Sequence, residues 1–200
     1  EQVGFRVGVV IFIKIISGLG TVMYATHQIA SNILSLSFAP GQAFGIAAST
    51  LVGRSLGQKR VDRAERFIIE INRLALISSI FFALIFYFYG AKITGLYTDD
   101  QLIINESINI MKIIALIQPF QASAFTISGG LRGAGDTVST LIVTIIGIVF
   151  IRIITAYILI NIVGIGLVGA WLAMLFDQFV RWVGMVYRYK TDKWKEIKLK

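Results

Sequence analysis

The chain has 200 residues, 56% hydrophobic and only 15% charged, with a net charge of +8 and a mean hydropathy of +0.77. Soluble domains carry about 25% charged residues, so this chain lacks the polar surface to cover a water-soluble globule, and a lipid bilayer is its natural solvent. It contains no cysteine, which excludes disulfides, thiolate nucleophiles and Cys-based metal sites.

A helix that crosses the ~30 Å hydrocarbon core needs about 20 apolar residues. Six such segments follow one another. The first, residues 1–16, starts on Glu1 at the edge of an apolar stretch, without a cleavable signal pattern, and reads as the start of a fragment whose N-terminal part is missing. The second is residues 24–52. No Asp, Glu, Lys or Arg separates Lys14 from Arg54, so two helices and a tight turn at 17–21 fit this region. The remaining spans are residues 67–89, 108–128, 138–162 and 167–187. All are too long for transmembrane strands of about 9–11 residues, and none alternates as a barrel strand does. The fold class is therefore an all-α membrane protein, a six-helix transmembrane bundle over residues 1–188 with a basic tail at 189–200.

The cations alternate by side. Arg54, Lys59, Arg60, Arg63 and Arg66 follow the second span, Arg132 follows the fourth, and Arg188, Lys190, Lys193, Lys195, Lys198 and Lys200 follow the sixth. The opposite side has Lys92 and Lys112 beside Asp99, Asp100 and Glu106. The excess of Lys and Arg predicts a multi-pass protein of the cell membrane with a cytoplasmic C-terminus. The positive charge thus reports topology and contact with anionic lipid, not nucleic acid.

Within the second span lies Pro40-Gly41. Proline removes a backbone hydrogen bond, and carbonyls freed at membrane depth must face protein or a wet cavity. A bent, cavity-lining helix and a packing kink both fit. Gln28, Asn32, Ser35 and Gln42 keep roughly one helix face and favour the cavity. Gly41-x3-Gly45, Gly53-x3-Gly57 and Gly129-x3-Gly133 are small-xxx-small patterns that allow helices to approach closely. Charges inside spans are costly and informative. Asp177 and Arg181 are spaced for a local ion pair with a snorkelling arginine. Arg152 calls for a carboxylate or helix-end carbonyls. Glu1 is a candidate for binding H⁺ or Na⁺, or for a structural pair with Arg6. His27 is the only histidine, so neither a His-based metal cluster nor a His-centred triad can be built from this chain. No nucleophile elbow or HExxH motif is present, and the chain does not read as an enzyme.

Two segments carry more pattern than hydropathy: residues 45–58 (GIAASTLVGRSLGQ) and 128–137 (SGGLRGAGDT). Each places glycines at a helix end on the basic side, where left-handed turns are cheap, and Asp136 is positioned to cap the next helix. These segments resemble the signatures of the multidrug and toxic compound extrusion (MATE) family of transporters. Leu19-Gly20-Thr21 with residues 25–30 (ATHQIA) resembles the start of that family's eighth helix, Arg152 the eleventh-helix arginine, and Trp194-Lys195 the tail motif. The resemblance covers nearly the whole chain in order, and implies that it is helices seven to twelve, one of two six-helix lobes that enclose a central cavity.

The resemblance further implies export of small organic, often cationic compounds by antiport with H⁺ or Na⁺ through alternating access, with no other cofactor and with an N-terminal lobe as partner. Glu1 matches the seventh-helix acid tied to cation coupling. Gln121 stands where the sodium-coupled branch has a tenth-helix acid, a departure that shifts coupling towards the N-terminal lobe. Gln28, Asn32, Pro40, Gln42, Gln118, Gln121 and Tyr157 are the candidate substrate-cavity residues, and Arg152, Asp177 and Arg181 the structural charges. The alternative function is a polysaccharide or lipid-precursor flippase of the same broad superfamily, for which Arg6, Lys14 and Arg152 supply cations.

Overall fold

The computed structural model describes the backbone of residues 2–196 and the side chains of residues 9–195. Six helical rods account for almost all of it: α1 (Gln2–Ser17), α2 (Thr21–Gly57), α3 (Val61–Gly95), α4 (Gln101–Gly133), α5 (Thr137–Ile162) and α6 (Gly166–Lys190), followed by a 3₁₀ turn at Lys193–Glu196. No strand occurs among the described residues. In a bilayer, backbone N–H and C=O groups have no water to bond, so each segment satisfies them internally as helix. The helices overrun the apolar spans at most ends, because hydropathy marks only the hydrocarbon layer and the hydrogen-bonded spiral continues into the interface.

Helices α3, α4 and α5 are long and apolar enough to cross a membrane by composition alone. In α6 that signal is diluted by Asp177, Gln178 and Arg181, and in α2 by its many small and polar residues. α4 is the central post. It packs against α2, α3 and α6, while α5 packs on α6 and α1. One apolar core, with Phe12, Ile33, Leu34, Ile110, Ile114 and Trp171, joins α1, α2, α4 and α6. A second, smaller core lies at the basic end around Val52, Ile68, Leu131 and Trp194.

The glycines of the two signature segments lie mostly within helices rather than in turns. Gly45, Gly53, Gly129, Gly130 and Gly133 are all helical, and only Gly135 has the left-handed φ, of 88°, that a turn requires. A Cβ on Gly129 would overlap the carbonyl oxygen of Gly45, and one on Gly133 that of Ser49. α2 and α4 therefore touch backbone to backbone. The close helix approach expected of Gly41-x3-Gly45 and Gly129-x3-Gly133 is thus met, while the turn expected of the signature glycines falls to Gly135 alone.

Pro40 lies inside α2 and Pro119 inside α4, and both helices continue through them. α5 contains wide π-helical turns at Ile146–Arg152 and Ile158–Ile162. Sequence reading had identified neither Pro119 nor the π turns.

The tail does not hang free where it is described. Trp194 is fully buried, stacks on Tyr189 with ring centroids 5.9 Å apart, and donates from Nε1 to the Tyr189 carbonyl at 3.1 Å. Lys195 Nζ lies 3.0 Å from Glu65 Oε2 on α3 and 2.8 Å from Asp192. Hydrogen bonds from its ammonium to Asp192 and Glu65 raise its pKa above the usual lysine range.

Asp136 occupies the N-cap position of α5, yet no side-chain cap hydrogen bond of standard geometry forms. Its carboxylate is drawn instead to Arg188 Nε at the end of α6. Burial pushes the Asp136 pKa up, but the Arg188 hydrogen bond and a contribution from Ser139 leave it below the usual aspartate value.

Two predictions follow from this packing. Gly129→Val should destabilise the fold by about 3 kcal/mol or more, the upper range for overpacking, because backbone has to move. Gly57→Ala, where nothing lies within 4 Å of the new methyl, should change the melting temperature little. Thermal unfolding of the two purified variants in one detergent checks both. Asp136→Asn should cost about 1.5–3 kcal/mol at pH 7, the usual worth of a charge-assisted hydrogen bond. The Asp136 carboxylate stabilises above its unfolded pKa and loses that contribution as pH falls through the lowered folded value. The gap between wild type and variant should therefore close below about pH 4.

Candidate functional site

A row of polar side chains stands exposed along α2: Gln28, Asn32, Ser35, Gln42 and Thr50. Their spacing returns them to one side of the helix, the side not used against α3 and the core. Gln28 Nε2 donates to Tyr24 Oη at 3.2 Å and Ser35 Oγ to the Asn32 carbonyl at 2.8 Å. Farther along, the row opens into a cleft of about 370 Å³ between α2 and α4, where Gln42, Ser49 and Thr50 face Phe125, Ser128 and Arg132. The cleft exists because Gly45 and Gly129 bring the two backbones together and leave no side chains to fill it. It offers amide and hydroxyl dipoles, one aromatic ring and one guanidinium.

The other predicted cavity residues fall elsewhere. Gln118 and Gln121 are each 3% exposed and lie inside the lobe, between α2, α3 and α4. Gln118 Nε2 donates to Ser37 Oγ at 2.8 Å, and Ser37 donates to the Leu34 carbonyl at 2.7 Å. Gln121 Oε1 and Nε2 are buried with no hydrogen-bond partner among the described residues. They border a cavity of about 10 Å³ that is also lined by Pro40, Ser78 and Ser79, room for about one water. Tyr157 is 57% exposed on α5, beside the exposed Ile154 and Ile158. It belongs to an apolar outward stripe and not to the α2 row. Sequence reasoning missed Phe125 and Arg132 as cleft residues. Arg132 had been counted only as a basic loop residue, although it stands one helical turn beyond Ser128, whose hydroxyl its Nη2 approaches at 3.5 Å.

The charged group is interior. Arg152 Nε donates to Asp177 Oδ2 at 3.0 Å, and its Nη2 donates to the same oxygen. Arg181 Nη2 reaches Oδ2 at 3.3 Å and Gln178 Oε1 at 2.6 Å. Its Nε lies 3.0 Å from Asp177 Oδ1 but off the hydrogen-bond axis, so that contact is electrostatic only. The expected i,i+4 pair of Asp177 and Arg181 therefore forms, but Asp177 is fully buried, Arg152 is 4% exposed and joins it, and the expectation that Arg181 snorkels to the interface is corrected, since its side chain is largely buried as well. The π turn ending on Arg152 places Gly147 against α6, where any Cβ would collide with Asp177 Oδ1 and the Arg181 stem. Phe12 lies 5.7 Å from the Arg152 guanidinium, and His27 contacts both Phe12 and Trp171 edge to face or tilted, at 5.8 and 5.6 Å. Glu1 lies outside the described residues. Among the described residues no cluster of His, Cys, Asp and Glu could hold a metal ion.

The six-helix lobe has known counterparts. The family model described as MatE matches residues 2–158. The chain belongs to the MatE family. Its relatives include a probable multidrug resistance protein NorM of Thermotoga maritima, 32% identical over 98% of this chain and 42% of that protein. Another is the multidrug resistance protein MdtK of Proteus mirabilis, 30% identical over 78% of this chain and 36% of that one. An outward-facing MATE family transporter of the MOP superfamily superposes with a TM-score of 0.90 at 19% identity, over 99% of this chain and 44% of that structure. A MOP superfamily transporter from Pyrococcus furiosus superposes equally well. The chain thus spans less than half the length of these relatives and matches one lobe of a two-lobe transporter fold. It is a multi-pass membrane protein.

The interior ion cluster yields an ordered prediction. Asp177→Asn leaves two guanidiniums together without their shared carboxylate, and Arg152→Gln leaves Asp177 with Arg181 still beside it. Both should destabilise, by about 3–5 kcal/mol for a broken buried pair, with Asp177→Asn the worse. Folded yield and melting temperature of the two variants measure the order.

Proposed function

We propose that this lobe, joined to its partner lobe, exports small organic and often cationic compounds by antiport with H⁺ or Na⁺. The observation that carries the proposal is the exposed α2 row ending in the α2–α4 cleft, on a chain of the MatE family. Amide and hydroxyl oxygens solvate an organic cation without holding it as a carboxylate would, so binding stays weak enough for release. The names of the NorM and MdtK relatives, which call them multidrug resistance proteins, support the same reading. The single guanidinium of the cleft is a sparse match to a phosphate-bearing precursor, which disfavours the flippase alternative.

Coupling requires an acid that binds the ion in one state and releases it in the other. Asp177 is committed to two arginines and position 121 is a neutral glutamine. The remaining carboxylates with described side chains sit at helix ends, in turns or near the basic end of α3. Coupling in this reading falls to Glu1 or to the other lobe. The basic end faces the cytoplasm by the positive-inside rule, and the membrane is the cell membrane.

Efflux of a cationic dye from cells that express the full-length transporter tests the reading. Gradient-dependent efflux is expected, reduced several-fold by Gln42→Arg, which puts a cation on the wall. Glu1→Gln separates the two coupling sites: loss of gradient dependence places coupling at Glu1, and its survival places coupling in the other lobe. Failure to export any cationic or neutral dye would overturn the export proposal.

A further inference from the structure

The face of α4 opposite the polar cleft carries a groove of another character. Phe120 and Ile127 form its floor, Leu76 of α3 and Trp182 of α6 its walls, and it encloses about 310 Å³. Trp182 is fixed there by a 3.0 Å hydrogen bond from Nε1 to Ser123 Oγ and by packing on Phe120 and Phe179 at 5.4 and 5.9 Å. Phe120 also borders a second, almost wholly apolar cleft of about 440 Å³ between α4 and α6, lined by Leu116, Leu172 and Phe176. The two share Phe120 in their linings. From Lys190 to Leu172 they run about 27 Å at the helical rise of 1.5 Å per residue. Half of the ~30 Å hydrocarbon core is about 15 Å, which leaves room for a headgroup above one acyl chain.

The end of the groove near Lys190 is polar. Asn72 and Tyr189 are among its lining residues, and Asn72 Oδ1 and Tyr189 Oη are buried with no hydrogen-bond partner among the described residues. Native interiors seldom leave such atoms unpaired, and each orphan asks for a missing partner. Lys190 stands exposed at the mouth, with the exposed Lys193 following it. The occupant that answers all of these is apolar over most of its length. It carries an oxyanion for Lys190 and the Tyr189 hydroxyl, and a hydroxyl to donate to Asn72 Oδ1. The helices that bound the groove expose apolar side chains, among them Ile77 and Ile80 on α3 and Phe179 and Val183 on α6, a surface suited to bilayer contact. Basic pockets between transmembrane helices are suited to anionic headgroups.

We propose that the α3–α6 groove over α4 binds one anionic phospholipid with a hydroxylated headgroup, taken from the leaflet at the basic end of the bundle. The phosphate sits at Lys190 and Tyr189, the headgroup hydroxyl at Asn72, and an acyl chain lies along Phe120 towards Leu172. The site rests on the membrane placement of the lobe and not on what the transporter exports.

Native mass spectrometry of the full-length transporter, released from micelles holding equal phosphatidylglycerol and phosphatidylethanolamine, tests it. Phosphatidylglycerol adducts should dominate. Lys190→Glu should lower their occupancy several-fold, and Lys59→Glu, in the exposed α2–α3 turn, should leave it unchanged. Should a variant fail to fold, the unmodified transporter in vesicles with acyl-brominated lipid reads the same site. The Trp182 fluorescence, taken as the difference from Trp182→Phe, should be quenched more by brominated phosphatidylglycerol than by brominated phosphatidylethanolamine. Equal adducts of the two lipids, equal losses from the two lysine variants, or equal quenching would each overturn the proposal. None of these readouts involves transport, so a failure of drug efflux and a failure of lipid binding are separate results.

Discussion

The backbone contact between α2 and α4 is the constraint on which the lobe depends. Lipid tails are as apolar as leucine, so no hydrophobic gain drives two membrane helices together, and association rests on close packing. Gly129 against Gly45 and Gly133 against Ser49 supply it, because the facing carbonyl oxygens occupy the space of the absent side chains. With α4 held to α2, its remaining faces receive α3, where Gly130 admits Ile68, and α6, where Ser123 accepts from Trp182. The polar cleft is a by-product of the same contact: two helices that meet on glycine leave a recess beside the crossing.

The Arg152–Asp177–Arg181 group does for α5 and α6 what glycine does for α2 and α4. A buried ion pair adds little net stability when its desolvation is counted, but it penalises every arrangement that separates its members. In a bilayer that penalty grows, since the alternative is a charge in hydrocarbon. The π turn matters here. It ends on Arg152 and sets Gly147 where only a glycine fits beside Asp177. The cluster thus fixes which face α5 turns to α6.

Much of the fold was legible because the bilayer imposes a few one-dimensional rules. Apolar length gave the six spans, and the alternation of Lys and Arg between helix ends gave the basic end of the bundle. The α2 polar row was readable from the spacing of Gln28, Asn32, Ser35 and Gln42 alone. What could not be read is pairing across distance. Arg152 and Asp177 are separate spans in the sequence, and only three-dimensional packing joins them. Gln118 and Gln121 looked like cavity residues because composition cannot tell an outward amide from one turned towards Ser37 inside the lobe. Tyr157 stands exposed on α5, between the π turns at Ile146–Arg152 and Ile158–Ile162, which alter the helical phase on which a face assignment relies. The close approach of Gly45, Gly129 and Gly133 was readable from their spacing, whereas the reading of the signature glycines as turn residues applies only to Gly135, since a turn glycine and a crossing glycine are the same letter.

α4 finally divides the lobe into two unlike surfaces. Phe125, Ser128 and Arg132 look into the polar cleft, and Phe120, Ser123 and Ile127 into the apolar groove. At about 100° per residue these two sets fall on opposite sides of one helix. A transporter needs this separation. The side that meets cargo has to be wet and weakly polar, so that occupants leave, and the side that meets lipid has to be apolar, with cations only at its end. Pro119 precedes both sets and lines the groove beside Phe120, where it removes one backbone hydrogen bond. The cleft and the groove are thus two faces of a single helix.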